Sequence, residues 1–385
     1  MTGTENLSDP LISQEMIHLG IGQPGSDLLP VKGLERAAAL ALHTDDPFFL
    51  NYGSEQGNEN FLESLAKFLS SHYPEPVSPE QLFITNGNSQ ALDLVCTLFT
   101  RPGDTILVEE PSFFLAFKIF ADHGLNLVSV PMDEHGLIVR EVREKLKTLN
   151  PAFLYTVPSY HNPAGVTLSN QRRRELAEIC SENQLLIVAD EVYHFLNYTG
   201  EPVLPMGSLC QDCPLVSLGS FSKILAPGLR LGWVHARPDL IKRLYRSGLV
   251  LSGSGLSPFA SQIVNSFMAL GFLDANIEKL KQVYTQRRDF LCRLLKETLP
   301  EQARFLIPGG GYFVWVRLPD PVDASALRKI ALEFQVNYFA GKLFSSQKGL
   351  NNYIRLCFAY YPEQDLARGI DRLAKALVRF RKNNP

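Results

Sequence analysis

The sequence predicts an α/β fold: a mostly parallel sheet sandwiched by helices in a large domain, joined to a smaller α+β domain. Three observations carry this. Seven short, apolar, β-rich runs alternate with helix-spaced patterns between Leu82 and His235. After about Asp274 a long charged helix opens a differently ordered set of elements. The 385 residues amount to roughly two to three ordinary domains. With 45% hydrophobic and 20% charged residues, a disordered or collagen-like chain is excluded.

The strands are expected at Leu82 to Thr85, Thr105 to Val108, Leu125 to Val130, Phe153 to Thr156, Leu185 to Ala189, Leu215 to Leu218 and Gly232 to His235. They are short and nearly all apolar, as strands covered on both faces must be. Helical spacing appears in Phe61, Leu62, Leu65, Phe68 and Leu69, and in Leu176, Ile179 and Cys180. Beyond Asp274 the pattern predicts a helix from Ile277 to Thr298 and a strand from Tyr312 to Val316. A helix near Ala324 to Phe334, a strand from Tyr353 to Cys357 and a basic helix to Arg381 follow. Gly309 to Gly311 precede a strand, so they read as a turn rather than a phosphate loop.

Lys and Arg total 37 against 40 Asp and Glu, a net charge of −3. No global basic field exists for nucleic acid, and a small-molecule partner is favoured. The six cysteines are scattered, which argues against a secreted disulfide framework. Cys210 and Cys213 form the one close pair; without a second Cys or His pair they read as ordinary thiols entering a strand rather than zinc ligands. The first ten residues have neither a basic n-region nor an apolar core, so no export signal is read and a cytoplasmic location is expected. Ser247 to Leu273 carry no Asp, Glu, Lys or Arg, yet hold too many Ser, Gly and Asn for a bilayer span. This reads as a buried or interface segment.

Five segments follow five strands. Lys223 and Arg230 stand in Ser220-Phe-Ser-Lys-Ile-Leu-Ala-Pro-Gly-Leu-Arg-Leu-Gly-Trp233. A lysine at a strand end can attack a carbonyl if its pKa is depressed, and Ser220, Ser222 and Arg230 could hold a phosphate; a solvated lysine is the plain alternative. Asp190 and Tyr193, in Ala189-Asp-Glu-Val-Tyr193, end the most apolar strand. A buried acid there calls for a cationic partner, unless it merely caps a helix. Asn162 lies in the tight loop Pro158-Ser-Tyr-His-Asn-Pro-Ala-Gly165, whose alternative is an ordinary turn. Asn88 and Ser89 follow Gly87 and open a helix, whose free N–H groups suit an anion. Phe113, in Glu110-Pro-Ser-Phe113, could cover a planar ring or be core.

Taken jointly, these motifs resemble the class I/II, fold-type-I aminotransferases that use pyridoxal 5′-phosphate, over roughly Leu19 to Tyr360. The resemblance implies that Lys223 carries the cofactor, that Asp190 pairs with its ring nitrogen, and that Tyr193 and Asn162 reach its phenolic oxygen. Phe113 takes the ring-stacking position. Asn88, Ser89, Ser220, Ser222 and Arg230 form the phosphate cup. Tyr52, in Asn51-Tyr-Gly-Ser-Glu-Gln-Gly57, matches a tyrosine that enters the cup from a second subunit of a homodimer. Arg355 and the backbone of Gly22 match groups that grip the substrate α-carboxylate, and Asn162 is counted with them as substrate-binding.

The implied division is an N-terminal segment 1–47 joining the small domain, a cofactor-binding domain 48–274 and a small domain 275–385. The implied reaction is ping-pong transamination of an L-α-amino acid with a 2-oxo acid acceptor, the donor being aromatic, aliphatic or 2-aminoadipate-like. No metal, membrane or nucleic acid is expected. A carbon–sulfur lyase or ring-forming synthase would share the same cup, and only a transaminase requires an acceptor. A transcription regulator would need a DNA-binding segment ahead of the domain, and the pattern already begins at Leu19 to Gly22.

Overall fold

Strands with apolar residues on both faces need helices on both sides, and the eight-stranded central sheet has them. The computed structural model describes residues 15–43 and 47–383. The first ten residues, read above for an export signal, lie outside that range, as do residues 44–46 of the N-terminal segment.

The sheet runs in the order Leu82–Thr85, Gly232–Ala236, Leu215–Ser220, Leu186–Asp190, Phe153–Thr156, Thr105–Glu110, Asn126–Asp133 and Gly136–Leu137. Five neighbouring strands, from Leu215–Ser220 through Asn126–Asp133, pair in parallel. Gly232–Ala236 is antiparallel to both its neighbours, a direction that apolar patterning cannot encode. The chain leaves Thr105–Glu110 outward to Asn126–Asp133, then returns to its other side. That reversal is the topological switch point where open α/β sheets hold ligands.

Predicted elements appear with shifts at their ends. The helix after Gly87 runs Asn88–Phe99, with Gly87 at φ +81 as its N-cap. The long helix runs Phe272–Thr298, beginning after Gly271 in the left-handed region. The uncharged stretch forms two helices, Gly248–Gly253 and Pro258–Ala269, which bury Val250, Val264 and Phe267 but leave Leu249, Leu251 and Phe259 exposed.

The second sheet is antiparallel, with Tyr353–Cys357 between Phe313–Arg317 and Phe339–Ala340. Phe272–Thr298 and Glu363–Asn383 pack together beside it. Ile17–His18 pairs in parallel with Val336–Asn337, and Cys357 N donates to Leu19 O at 2.6 Å. These bonds carry residues 17–22 from the small sheet towards the switch point. Among the described residues, no helix is long and apolar enough to cross a membrane.

Candidate active site

The parallel strands end on one side, and the segments after them close on a cavity of about 280 Å³. Lys223, Asp190, Tyr193, Asn162 and Phe113 all line it. So do Asn88, Ser89, Ser220, Ser222 and Arg230, and from the small-sheet side Gly22 and Arg355. Of the predicted residues only Tyr52 stands apart, 78% exposed on the surface of the single chain.

Lys223 follows the strand Leu215–Ser220. Its backbone carbonyl accepts from Tyr312 Oη at 3.0 Å, and its Nζ donates to Gly22 O at 2.8 Å. Burial pushes the amine down to about 8; Arg355 and Arg230 act the same way, while Cys357 and Asp190 oppose them. Near neutral pH a useful fraction is therefore the neutral nucleophile.

Asp190 ends the strand Leu186–Asp190. Its Oδ1 accepts from Asn88 Nδ2 at 2.9 Å and its Oδ2 from Tyr155 Oη at 2.9 Å. Burial pushes its carboxyl above the ordinary range, although both donors and Lys223 pull the other way. The Tyr193 phenol is also pushed up, first by burial, and so stays a donor. Tyr155 was not foreseen as part of this group; its polar tip on an otherwise apolar strand was the available signal.

Asn162 Oδ1 accepts from Arg355 Nη1 at 2.7 Å, and Arg355 Nη2 donates to Gly20 O at 2.7 Å. The guanidinium lies 4.0 Å from the Phe313 ring centroid, 4.9 Å from Phe344 and 5.1 Å from Phe339. Burial lowers its pKa to about 10, so it stays charged at neutral pH. Beneath the Asn162 turn, Glu109 accepts from Thr156 Oγ1 at 2.6 Å and Val157 N at 2.7 Å. His161 Nε2 lies 3.1 Å from the same carboxylate. Neither Glu109 nor the Phe box around Arg355 is marked by local sequence pattern.

Gly87 holds the turn before the Asn88 helix, where a Cβ would sit 2.8 Å from Arg230 Nη2. The helix N-terminus, Arg230 and the two serines thus form an anion cradle. Elsewhere, Cys210 Sγ lies 3.7 Å from His235 Nε2, but burial pushes the thiol up to about 11 and the imidazole down to about 4, leaving both neutral. Among the described residues, no group of three or more His, Cys, Asp or Glu is placed to hold a metal.

The profile of the family "Aminotransferase class I and II" matches residues 14–373. The chain belongs to that family. This aminotransferase is 34% identical to aromatic-amino-acid aminotransferase 1 of Thermococcus litoralis, over 95% of its own length and 88% of the relative's. It is 32% identical to a 2-aminoadipate transaminase of Thermus thermophilus, over 92% and 88% of the two chains. A Pyrococcus horikoshii kynurenine aminotransferase, solved with PMP and substrate, superposes with a TM-score of 0.90 at 31% identity, over 96% and 92% of the chains. The enzyme is a pyridoxal-phosphate-dependent transaminase of amino acids on a fold-type-I scaffold.

The cavity fits that cofactor. Asp190 is a buried acid hydrogen-bonded only to neutral donors, and a protonated ring nitrogen is the cation it lacks. Asn88 Oδ1 is buried without a partner, as is Arg355 Nε. The Gly87–Arg230 cradle suits the phosphate. The Asn88 Nδ2 is committed to Asp190 Oδ1 at 2.9 Å and Leu218 O at 3.1 Å.

Proposed function

We propose that this aminotransferase takes aromatic or bulky aliphatic L-amino acids as donors in preference to 2-aminoadipate-like ones. One observation carries the choice: the cations lining the cavity are Lys223, Arg230 and Arg355. Lys223 and Arg230 serve the cofactor, and Arg355 grips the α-carboxylate. Among the described residues a second carboxylate has no cation left, while Phe114, Leu115 and Phe339 offer apolar wall. Two of the relatives, an aromatic-amino-acid and a kynurenine aminotransferase, carry names of this class, and the 2-aminoadipate transaminase carries the other.

Pyridoxal phosphate, when bound, supplies the carbonyl that takes the amino group and the ring that withdraws electrons from the α-carbon. The chain supplies the rest. Arg355, backed by Gly22, orients the donor. Lys223, once free, moves the proton at the α-carbon, its depressed pKa suiting a base near neutral pH. Asp190 would hold charge at the ring nitrogen, Tyr193 and Asn162 would donate to the phenolic oxygen, and Phe113 would cover the ring. The large and small units divide near residues 48 and 275, with residues 17–22 tied to the small sheet. The enzyme works as a homodimer in the cytoplasm, a location supported by six unpaired cysteines.

A panel of donors against 2-oxoglutarate and pyruvate tests the reading. Phenylalanine, tyrosine and leucine should exceed 2-aminoadipate in kcat/KM by about tenfold or more, the scale of one unpaired carboxylate. Turnover must require the oxo acid; acceptor-independent release of ammonia or sulfide would replace the transaminase reading with a lyase.

A further inference from the structure

The proposed ring-nitrogen partner, Asp190, does not stand alone in the cavity floor. Its Oδ2 takes the hydroxyl of Tyr155 at 2.9 Å, from the neighbouring parallel strand. Tyr155 is fully buried, and this is the one hydrogen bond its hydroxyl makes among those described. The ring packs edge-on against Phe120, with centroids 5.4 Å apart, so the phenol is held from behind. The other carboxylate oxygen takes Asn88 Nδ2.

We infer that Tyr155 is a positioning residue for the transamination reaction: its hydroxyl, with the Asn88 amide, holds the Asp190 carboxylate ionised and aimed at the cofactor's ring nitrogen. The inference rests on the reading of Asp190 given above.

The chemistry follows from residue type. A buried carboxylate stays ionised only if donors stabilise its charge. Two side-chain donors, Tyr155 and Asn88, do so here beside the Val192 N–H, and none of them titrates in the working range. The Asn88 amide donates an N–H and does not ionise. Burial, with Asp190 and Glu109 nearby, pushes the Tyr155 phenol far above its usual value. The charged groups facing Asp190 are Lys223, and Arg355 and Arg230 across the cavity. A histidine in the place of Tyr155, raised by the Asp190 carboxylate against the lowering by burial, would put an ionisable group beside that carboxylate and carry its charge change to it. The tyrosine itself adds no charge change beside Asp190 across the neutral range.

Tyr155→Phe keeps the ring and its packing and removes only the donor. Holoenzyme loaded with cofactor labelled with ¹⁵N at the ring nitrogen should show a resonance at the protonated position in the wild type, unchanged from pH 6 to 9 in a window flagged by the ordinary histidine range of about 6.5. In Tyr155→Phe the resonance should move towards the unprotonated position. In Tyr155→His it should titrate within that window. Asp190→Ala is measured alongside and should show the full shift. If Asp190→Ala leaves the resonance unmoved, the reading of Asp190 itself fails. If Asp190→Ala moves it while Tyr155→Phe matches the wild type and Tyr155→His stays flat, Tyr155 is packing alone and this inference is overturned.

Discussion

Asn162 Oδ1 and Arg355 Nη1 lie 2.7 Å apart, joining a loop of the central sheet to the middle strand of the small sheet across 193 residues of chain. The bond ties the group proposed to touch the cofactor to the group proposed to hold the substrate. The three Phe rings around the guanidinium hold it further. A lysine cannot reproduce this, because it lacks the planar fork. Arg355→Lys should raise KM for donor and oxo acid about 10- to 100-fold, the scale of a lost charge-assisted pair. The absorbance of the bound cofactor should stay at its wild-type value. Steady-state kinetics with both substrates checks this, and an unchanged KM would remove Arg355 from substrate binding.

Lys223 should make the cofactor-free protein less stable than an apolar replacement does. Its buried amine is held at about 8, against 10.5 for the free side chain. Between those values the unfolded chain keeps a proton that the folded chain has lost, so stability rises with pH across that window. Below pH 8 both states are charged and the full penalty remains. Lys223→Met, in cofactor-free form, should therefore be more stable than wild type at pH 7, by on the order of 3 kcal/mol. The gap should close between pH 8 and 10.5. Urea unfolding across pH reads both; curves that run parallel would show that the lysine is solvated. In loaded enzyme, borohydride should fix the cofactor on Lys223 and on no other lysine.

Much of this site was legible in the sequence because the chemistry sits at strand ends. Lys223, Asp190, Asn162 and Asn88 each follow a run such as Leu186-Ile-Val-Ala189 whose apolar pattern fixes a strand, and the strand fixes where its end points. What stayed hidden depends on pairing between segments far apart in the chain. The Tyr155–Asp190 contact exists because the two strands are neighbours in parallel register, with Tyr155 opposite Val188. The box around Arg355 needs Phe313 and Phe339 on strands flanking Tyr353–Cys357, an order no local period encodes. The antiparallel direction of Gly232–Ala236 was invisible for the same reason.

Glu109 is a further case of hidden pairing, and it should matter for both stability and binding. His161 Nδ1 accepts from Ala164 N at 3.2 Å, so in the neutral ring the proton sits on Nε2, facing Glu109. Glu109→Ala would strand the Thr156 hydroxyl and the Val157 N–H, and leave His161 Nε2 with nothing opposite. The expected loss is about 2–4 kcal/mol in urea unfolding, as for removal of a buried charged acceptor. The turn carrying Asn162 should loosen, so KM should rise more than kcat falls. A variant with wild-type stability would show that water or a shifted side chain replaces the carboxylate.

Tyr52 is the one predicted residue outside the cavity, and its exposure of 78% is informative. A tyrosine so bare on one chain suits a group that works in another chain. The surface around it agrees. Leu50, Leu249, Leu251 and Phe259 are exposed, and Phe49 stacks on Phe259 with centroids 6.5 Å apart. An apolar patch with no charge between Ser247 and Leu273 is what the core of a permanent interface requires. A two-fold axis would place each Tyr52 at the partner's phosphate cradle, reciprocally. The expected consequence is complementation. Tyr52→Ala should lower cofactor affinity about tenfold, the worth of one hydrogen bond to a charged group. At a cofactor concentration limiting for that variant it is nearly inactive, and Lys223→Ala is inactive at any. Mixed and re-associated in equal amounts, about half the dimers are hybrids, and each hybrid holds one site with both residues intact. Activity should return to about a quarter of the wild-type value per subunit. Sedimentation at micromolar concentration should show a dimer. Full activity in a monomer, or hybrids that form without recovering activity, would place Tyr52 in its own chain's surface and remove it from the site.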